Sequence, residues 1–527
     1  MLKVPARQRS APPLTGAILL LVVALPALAA AFAVAWRPWY AGSDQAIMLV
    51  RIFDVGGSHT PLVGAWSRWG WSHPGPSTYW ALAPFAQVLG PAGALTGAGV
   101  INAASILGSV ALVLRRGGRA RAATAALALA LAVHAAGAGQ LVDIWNPTIA
   151  LFPFFLFLFL VWSVLCGDRW LLPAAAAVGS FSVQAHIGYA LVVAGLLLAA
   201  AVRTALARRH DDVSLTRPQR LLVWASAATL LVMWLPPLVE QASAGRGNVT
   251  ALVRYGMEPD EPAAGWSYAV GVFGWQLRPT GPWLSGQEVN GLGFTVTGSA
   301  VPALGSVLVV ALATCWAARR GARDVAWLGV ISLLGAGLAL VATAQVRGIP
   351  VPYLVRWWWG IAALATLTVA WALLEATSGR VRQVLLGAAL VALVVTSGRT
   401  LLSLPAPVPG AEVSRAIGAV APGVADQLDP AGRYLVRSVA SSTWGAPGPG
   451  LLLELERRGF DVFVDPSPLA GSAYGERRVA APAEVDEIIT FVDRLDADGW
   501  APPRGSRLLA TWEDDDVGAT VWASPTV

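Results

Sequence analysis

Eleven predominantly apolar stretches dominate the chain, at about 14–34, 92–114, 122–141, 148–166, 170–186, 187–205, 221–239, 301–318, 325–345, 357–376 and 384–402. Most approach the ~20 residues that an α-helix needs to cross the hydrocarbon core of a bilayer. A chain with so many such runs cannot hide them in one water-soluble core. Within lipid, backbone groups must pair inside their own segment, which selects helices. The composition agrees, with 56% hydrophobic and only 13% charged residues, against about 25% charged in soluble domains. The same figures exclude intrinsic disorder, which needs low hydrophobicity. The expected fold class is a polytopic α-helical membrane protein of about 11 transmembrane helices. The stretch 170–186 is the shortest and turns polar toward its end. The first stretch is read as a retained anchor, because its apolar run exceeds the 7–15 residues of a signal-peptide core.

Basic residues set an expected orientation. Of the 27 Lys and Arg in residues 1–401, 18 fall in alternate connections, beginning with Lys3, Arg7 and Arg9 and continuing through Arg115–Arg121, Arg169, Arg203–Arg220, Arg319–Arg323 and Arg380–Arg382. Basic connections stay on the cytoplasmic side, so the N-terminus is expected there. Eleven spans then put the C-terminus outside the cytoplasm, with the whole a multi-pass protein of the plasma (inner) membrane. The acids shift the other way: residues 402–527 hold 18 Asp and Glu against 10 Arg. The division expected is a membrane domain at 1–402, a stiff Pro-rich linker at 403–410 and an extracytoplasmic α/β domain at 411–527. In that last part strands are expected at Arg433–Val439, Asp461–Val464, Ser506–Thr511 and Ala519–Trp522. Helices are expected at Leu451–Arg458 and Ala483–Leu495. Nearly all basic residues are arginine and alanine is abundant, a composition that suggests a GC-rich bacterial genome.

Two outer loops are long, 35–91 and 240–300, and the first is dense in Trp. Its stretch Tyr79–Leu89 is apolar but too short to span, and reads as an interfacial helix. Many of the 24 Trp residues suit an aromatic belt at headgroup level. No GxxxxGK[ST] or GxGxxG motif follows a strand, so nucleotide-driven chemistry finds no support. HExxH, GxSxG and cysteine–histidine pairings are absent too, and the two cysteines, Cys166 and Cys315, sit in or beside apolar runs.

With charges so scarce, each ionisable group near a span is a functional candidate. Asp44 follows the first span closely, among apolar and small neighbours. A carboxylate in such a partly dry place has a raised pKa and can act as a base; it also suits the N-terminus of a helix over Gln45–Phe53. In Ser67-Arg68-Trp69-Gly70-Trp71-Ser72-His73-Pro74-Gly75-Pro76, Gly and Pro fix the backbone while Arg68 and His73 offer donors beside indoles. Arginine binds phosphate through two parallel bonds; a rigid interfacial turn is the alternative. Gln184-Ala185-His186-Ile187-Gly188-Tyr189 lies at the same expected level as Asp143 and Trp145-Asn146-Pro147. Glu240, Arg347 and Arg356 complete the outer set. Arg356 heads Trp357-Trp358-Trp359, a pattern that fits a lipid phosphate or an interface anchor equally.

These features together resemble the GT-C superfamily of polyprenyl-phosphate-sugar-dependent membrane glycosyltransferases. The resemblance is to the protein O-mannosyltransferase and aminoarabinose transferase type, and to actinobacterial arabinofuranosyltransferases that build the cell wall. It covers the organisation of residues 14–402, and its specific part is Asp44 with the segments Ser67–Pro76 and Gln184–Tyr189. It implies transfer of a sugar from a polyprenyl-phosphate donor to a cell-envelope glycan, glycolipid or protein acceptor outside the cytoplasm. Asp44 would be general base of an inverting displacement. Arg68, His73, Arg347 and Arg356 would hold the donor phosphate. Asp54, Trp69, Trp71, Asp143, Asn146, Gln184, His186 and Tyr189 would line the substrate site. Many relatives carry two adjacent acids where this chain has Asp44-Gln45, which puts a divalent cation in question, and Asp54 is ten residues away. Partners implied are the lipid-linked donor, the acceptor and the bilayer, with no nucleic acid. The competing classes are a transporter or flippase of a lipid-linked sugar and a non-catalytic membrane scaffold. Transport favours intramembrane charges, repeats or broken helices; no repeat is visible and charges within the spans are almost absent, which counts against it.

Overall fold

The structure is a computed structural model that describes residues 14–206, 217–243, 245, 247–258, 261–286, 300–439, 446–493, 499–514 and 517–526. Lys3, Arg7, Arg9, Arg208, Arg209, Arg246, Asp260 and Glu288 lie outside the described residues. The first part of the chain forms α1 (Leu14–Val34), α2 (Ser43–Phe53), α3 (Ser77–Leu89), α4 (Pro91–Ala136), α5 (Asn146–Ile149), α6 (Leu151–Leu165), α7 (Leu172–Ala185) and α8 (Ala190–Leu206). Then come α9 (Arg217–Ser243), α10 (Asn248–Met257), α11 (Gly265–Gln276), α12 (Pro282–Ser285), α13 (Val301–Arg319), α14 (Arg323–Ala344), α15 (Trp357–Ala376) and α16 (Gly379–Leu402).

Nine helical stretches among the described residues are long and apolar enough to cross a membrane. The expected spans 92–114 and 122–141 are both inside α4, which breaks at Gly118, where φ is 74°. A residue with a Cβ rarely adopts that conformation. Asn102 Nδ2 donates to Leu141 O at 2.8 Å, so the two halves of α4 double back on each other. The expected span 170–186 is the 14-residue α7, short of a full crossing at 1.5 Å per residue. Helix α6, Leu-Phe-Pro-Phe-Phe-Leu-Phe-Leu-Phe-Leu-Val-Trp-Ser-Val-Leu, is apolar on every side and buried on every side, as an all-round apolar helix must be. It is the centre of the bundle. The expected loop 240–300 is largely helical where described, through α10, α11 and α12.

The two ends of the bundle differ in chemistry. At one end Arg116 bridges Asp168 and Asp324 at 3.1 and 3.2 Å, and Arg121 bridges Asp324 and Glu375 at 3.2 and 2.7 Å. These ion pairs join the connection inside α4 to those around α6–α7, α13–α14 and the end of α15. The other end gathers α2, the loop before α3, the connections 137–145 and 186–189, and the loop 345–356. Among the described residues, the connections carrying Arg116, Arg121, Asp168 and Asp324 thus share one end.

The C-terminal domain packs on that second end. It consists of α17 (Ala411–Ala425), β1 (Arg433–Val439), α18 (Gly448–Arg457), β2 (Asp461–Phe463), α19 (Ala470–Tyr474), β3 (Glu487–Asp493), β4 (Arg507–Asp514) and β5 (Val517–Pro525). The sheet order is β2-β1-β3-β5-β4. Strand β1 pairs parallel with β2 and β3, whereas β5 runs antiparallel to β3 and β4. The helix expected over Ala483–Leu495 is instead a short turn followed by β3. Ile488, Ile489, Thr490, Phe491 and Val492 form a run of β-branched and aromatic residues, which favours a pleated strand. A central strand covered on both faces reads as continuous apolar sequence, and that imitates a helix. The Pro-rich segment ties the domain down: Trp39 Nε1 donates to Pro409 O at 3.0 Å and Arg37 Nη1 to Ala406 O at 3.3 Å.

Candidate active site

The segment Ser67–Pro76 folds as an irregular hairpin. His73 N–H donates to Ala65 O at 2.7 Å, Gly64 N–H to His73 O at 2.8 Å and Ser67 N–H to Trp71 O at 2.8 Å. Gly70 takes the left-handed conformation at the tip, with φ 76°. Gly75 is glycine for a packing reason, because a Cβ there would lie 2.3 Å from Gln184 Cδ. Gln184 in turn accepts from Ser77 N–H at 3.3 Å and donates to Met233 O at 2.6 Å. It pins the hairpin to α7 and α9. The hairpin points Trp66, Arg68, Trp69, Trp71 and His73 at a cavity of about 550 Å³.

That cavity is also lined by Asp44, Met48, Trp145, Asn146, His186, Tyr255, Gln345, Arg347, Tyr353 and Trp357. Seven stretches of chain therefore meet there, from α2, the hairpin, the start of α5, the α7–α8 corner, α10, the end of α14 and the loop leading into α15. Asp44 sits in the first turn of α2, and its Oδ2 accepts from Trp145 Nε1 at 3.0 Å. Burial pushes its carboxyl above the ordinary Asp range, and the Trp145 bond offsets part of that rise. Behind it Asp143 is half-buried, and burial likewise raises its pKa. Asp143 Oδ1 accepts from Trp145 N–H at 3.0 Å and from Gln45 Nε2 at 3.3 Å.

Two histidines stack in the wall, with ring centroids 4.8 Å apart. His73 Nδ1 accepts from Ile187 N–H at 3.1 Å, and His186 Nδ1 accepts from Gly188 N–H at 3.2 Å. Each neutral ring therefore carries its proton on Nε2. Burial first, and the neighbouring His186 second, hold the pKa of His73 well below its ordinary value. Two arginines line the cavity, both beside the same aromatic cluster. Arg68 lies 4.8 Å from the centroid of the Trp69 ring, and Arg347 lies 5.7 Å from that of Tyr255. Trp69 and Trp71 lean tilted against Tyr255, with ring centroids 5.7 and 5.5 Å away. Tyr353, edge-on to Trp145 at 4.6 Å, has its phenol pushed up to about 12, by burial above all.

Of the residues expected at a site, Asp44, Arg68, Trp69, Trp71, His73, Asn146, His186 and Arg347 line the cavity. Five do not. Asp143 and Arg356 lie behind the wall, where Arg356 donates to Gln140 Oε1 at 2.8 Å and Thr148 Oγ1 at 3.4 Å. Gln184 is the hairpin pin. Tyr189 is buried among Phe154, His186 and Trp357. Asp54, expected to reach substrate or to compensate for a missing second acid, is instead locked between Arg51, Arg477 and Arg478. Its burial alone would raise its pKa, but the hydrogen bonds and charge of Arg478, with Arg51 and Arg477, hold it below the usual range.

The side chains do not fit a divalent cation at Asp44. No group of three or more His, Cys, Asp or Glu comes together for one among the described residues. Moreover Gln45 gives an N–H donor to Asp143. A second acid there would face Asp143 and call for a cation between them. Tyr255 and Tyr353 were not singled out from the sequence. Trp145 was named only as part of Trp145-Asn146-Pro147, and only the fold brings its indole to Asp44.

No protein-family model and no curated protein sequence matches the chain. Among solved structures, the chain is similar to ArnT from Cupriavidus metallidurans bound to undecaprenyl phosphate. The TM-score is 0.60 at 15% identity, covering 97% of this chain and 98% of that one. Archaeal oligosaccharyltransferase AglB from Archaeoglobus fulgidus, in complex with an inhibitory peptide and a dolichol-phosphate, is a more distant match. Its TM-score is 0.43 at 12% identity, over 90% of this chain and 69% of that one. The chain shares the fold of that ArnT, a polytopic helical membrane domain followed by a C-terminal domain.

Proposed function

We propose that the protein is a membrane glycosyltransferase that moves a sugar from a polyprenyl-phosphate donor to an acceptor hydroxyl outside the cytoplasm, with Asp44 as general base. One observation carries this reading. A half-buried carboxylate with a raised pKa shares a cavity with two arginines and two neutral histidines, at one end of a bundle whose fold is shared with a protein bound to undecaprenyl phosphate. The acceptor oxygen attacks the anomeric carbon, its proton passes to Asp44, and the bond to the donor phosphate oxygen breaks with its electron pair leaving on the phosphate. Attack opposite the leaving group inverts that carbon. Arg68, Arg347 and the Nε2–H groups of His73 and His186 supply the donors for the departing phosphate. Neutral histidines suit this role because they donate without adding buried charge. The indoles of Trp66, Trp69, Trp71 and Trp357 exclude water, which would otherwise take the sugar. The acceptor side follows from the arginine distribution, which puts the cavity at the extracytoplasmic end.

Purified protein in lipid nanodiscs, offered a panel of polyprenyl-phosphate pentoses and hexoses with a cell-envelope extract as acceptor, should release polyprenyl phosphate from one of them. Release from none would sink the reading. Two variants probe its parts. Arg347→Ala should weaken binding of undecaprenyl phosphate about 10- to 100-fold, the value of a hydrogen bond to a charged group. Filter binding or calorimetry would measure it. Trp145→Phe removes a donor to the ionised form of Asp44. The base works only when deprotonated, so turnover rises with pH through its pKa. Losing the donor raises that pKa further, and the acid limb of kcat/KM should move to higher pH.

A further inference from the structure

Helix α2, which carries Asp44, has its principal packing partners outside the membrane bundle. Its main neighbours are α18 and α19 of the C-terminal domain, together with α3. The domain holds it at both ends. At the front, Ser43 N–H donates to Ala446 O at 3.0 Å and Tyr40 N–H to Ser414 Oγ at 3.0 Å. The fit there is close: a Cβ on Gly42 would lie 2.4 Å from Val413 Cγ1, and one on Gly450 would lie 2.2 Å from Ala41 O. At the back, Asp54 caps α2 and is gripped by a two-pronged arginine. Arg478 Nη2 donates to Asp54 Oδ1 and Nη1 to Oδ2, both at 2.9 Å, with Arg477 Nη2 adding a bond at 3.1 Å. Arg478 is itself fixed by Glu456 at 2.9 Å and by Tyr474 O at 2.6 Å. The Asp54 and Arg478 side chains are only 3% and 2% exposed. The same α19 brings Tyr474 within reach of the field of Asp44, whose charge adds to burial in raising that phenol.

We infer that the C-terminal domain acts as a two-point clamp that sets the position of Asp44 in the cavity, with Asp54 and Arg478 as positioning residues. This rests on the reading of Asp44 as the base. A planar guanidinium on a carboxylate fixes direction as well as distance. Because α2 is a short rigid rod, a shift at Asp54 is transmitted to Asp44, ten residues back along the chain. A misplacement of about 1 Å from a remote change costs on the order of 10²-fold.

The test uses the full chain in nanodiscs, with the donor from the panel that turns over, assayed well below the unfolding temperature. Asp54→Asn keeps the shape of the side chain but removes its charge. It should lower kcat about 10- to 100-fold with KM for donor, and binding of undecaprenyl phosphate, within about threefold. The acid limb of the pH profile should move, since the Trp145–Asp44 bond depends on where α2 sits. Arg478→Lys, which keeps charge but loses the fork, should show the same pattern more weakly, and Asp54→Glu should recover part of the rate. The clamp is overturned if Asp54→Asn and Arg478→Lys keep full kcat while a parallel Asp44→Asn is inactive. It is equally overturned if kcat and donor binding fall together with the acid limb unmoved, the signature of simple loss of folded protein. An active Asp44→Asn variant would instead remove the reading of the site on which the clamp depends.

Discussion

Asp44→Asn should lower turnover by about 10²–10⁴, the range that a positioned general base supplies, and leave undecaprenyl phosphate bound. Asparagine has nearly the same shape, and its carbonyl oxygen can still accept from Trp145 Nε1, which lies 3.0 Å from the carboxylate. What disappears is the ability to take a proton. The stability of the variant separates catalysis from architecture. A carboxyl whose folded-state pKa stands above its unfolded value holds its proton more tightly when folded, so ionisation above that pKa works against folding. Asp44 is such a group. The variant should therefore melt no lower than the parent at neutral pH, and somewhat higher if the burial cost dominates. A silent variant with an unchanged or raised melting temperature identifies the base. A variant that keeps full activity would end the assignment, and one that loses activity only by unfolding would make Asp44 a structural residue.

Arg478→Ala should produce the largest loss of stability, about 3 kcal/mol, at the low end for breaking a buried ion pair. Its removal leaves Asp54 without its two-pronged partner and Glu456 with fewer donors. Arg51 remains, as does the more exposed Arg477, which softens the loss. The pH dependence gives the sign. Asp54 is held below its ordinary pKa, so its contribution is present above the unfolded value of about 3.9. It fades as pH falls through the lower folded value. Thermal unfolding of the parent and the variant should thus differ most at neutral pH and converge in strong acid. A constant gap at every pH would mean that Arg478 acts through packing rather than charge.

What could be read from the sequence was what depends on near neighbours. The spans were legible because each is a local run of apolar residues. Even the reversal at Gly118 was foreshadowed, by the basic residues from Arg115 to Arg121 between two runs. Asp44 and the Ser67–Pro76 hairpin stood out because charge and punctuation are rare in such a chain. Position 54 was misjudged because its partners are Arg477 and Arg478, and nothing near Asp54 announces them. Gln184 and Tyr189 belonged to the right corner, but their direction was decided by packing against Gly75, Met233 and Trp357. Strand β3 was taken for a helix because burial on both faces erased the alternation that marks a strand. Arg356, placed correctly at the cavity end, turned inward because Gln140 and Thr148 offered it acceptors.

The pairing of Asp54 with Arg478 joins residues 424 positions apart. A ribosome adds about 5–20 residues per second, so some 20 to 85 s separate the two during synthesis. The membrane helices are complete for part of that interval while α2 still lacks its holder. A chain interrupted between Leu402 and Arg478 would have all its membrane helices made, yet under the proposed clamp its Asp44 would be unset. Under the proposed clamp, Asp44 therefore takes its position only after every membrane helix has been made.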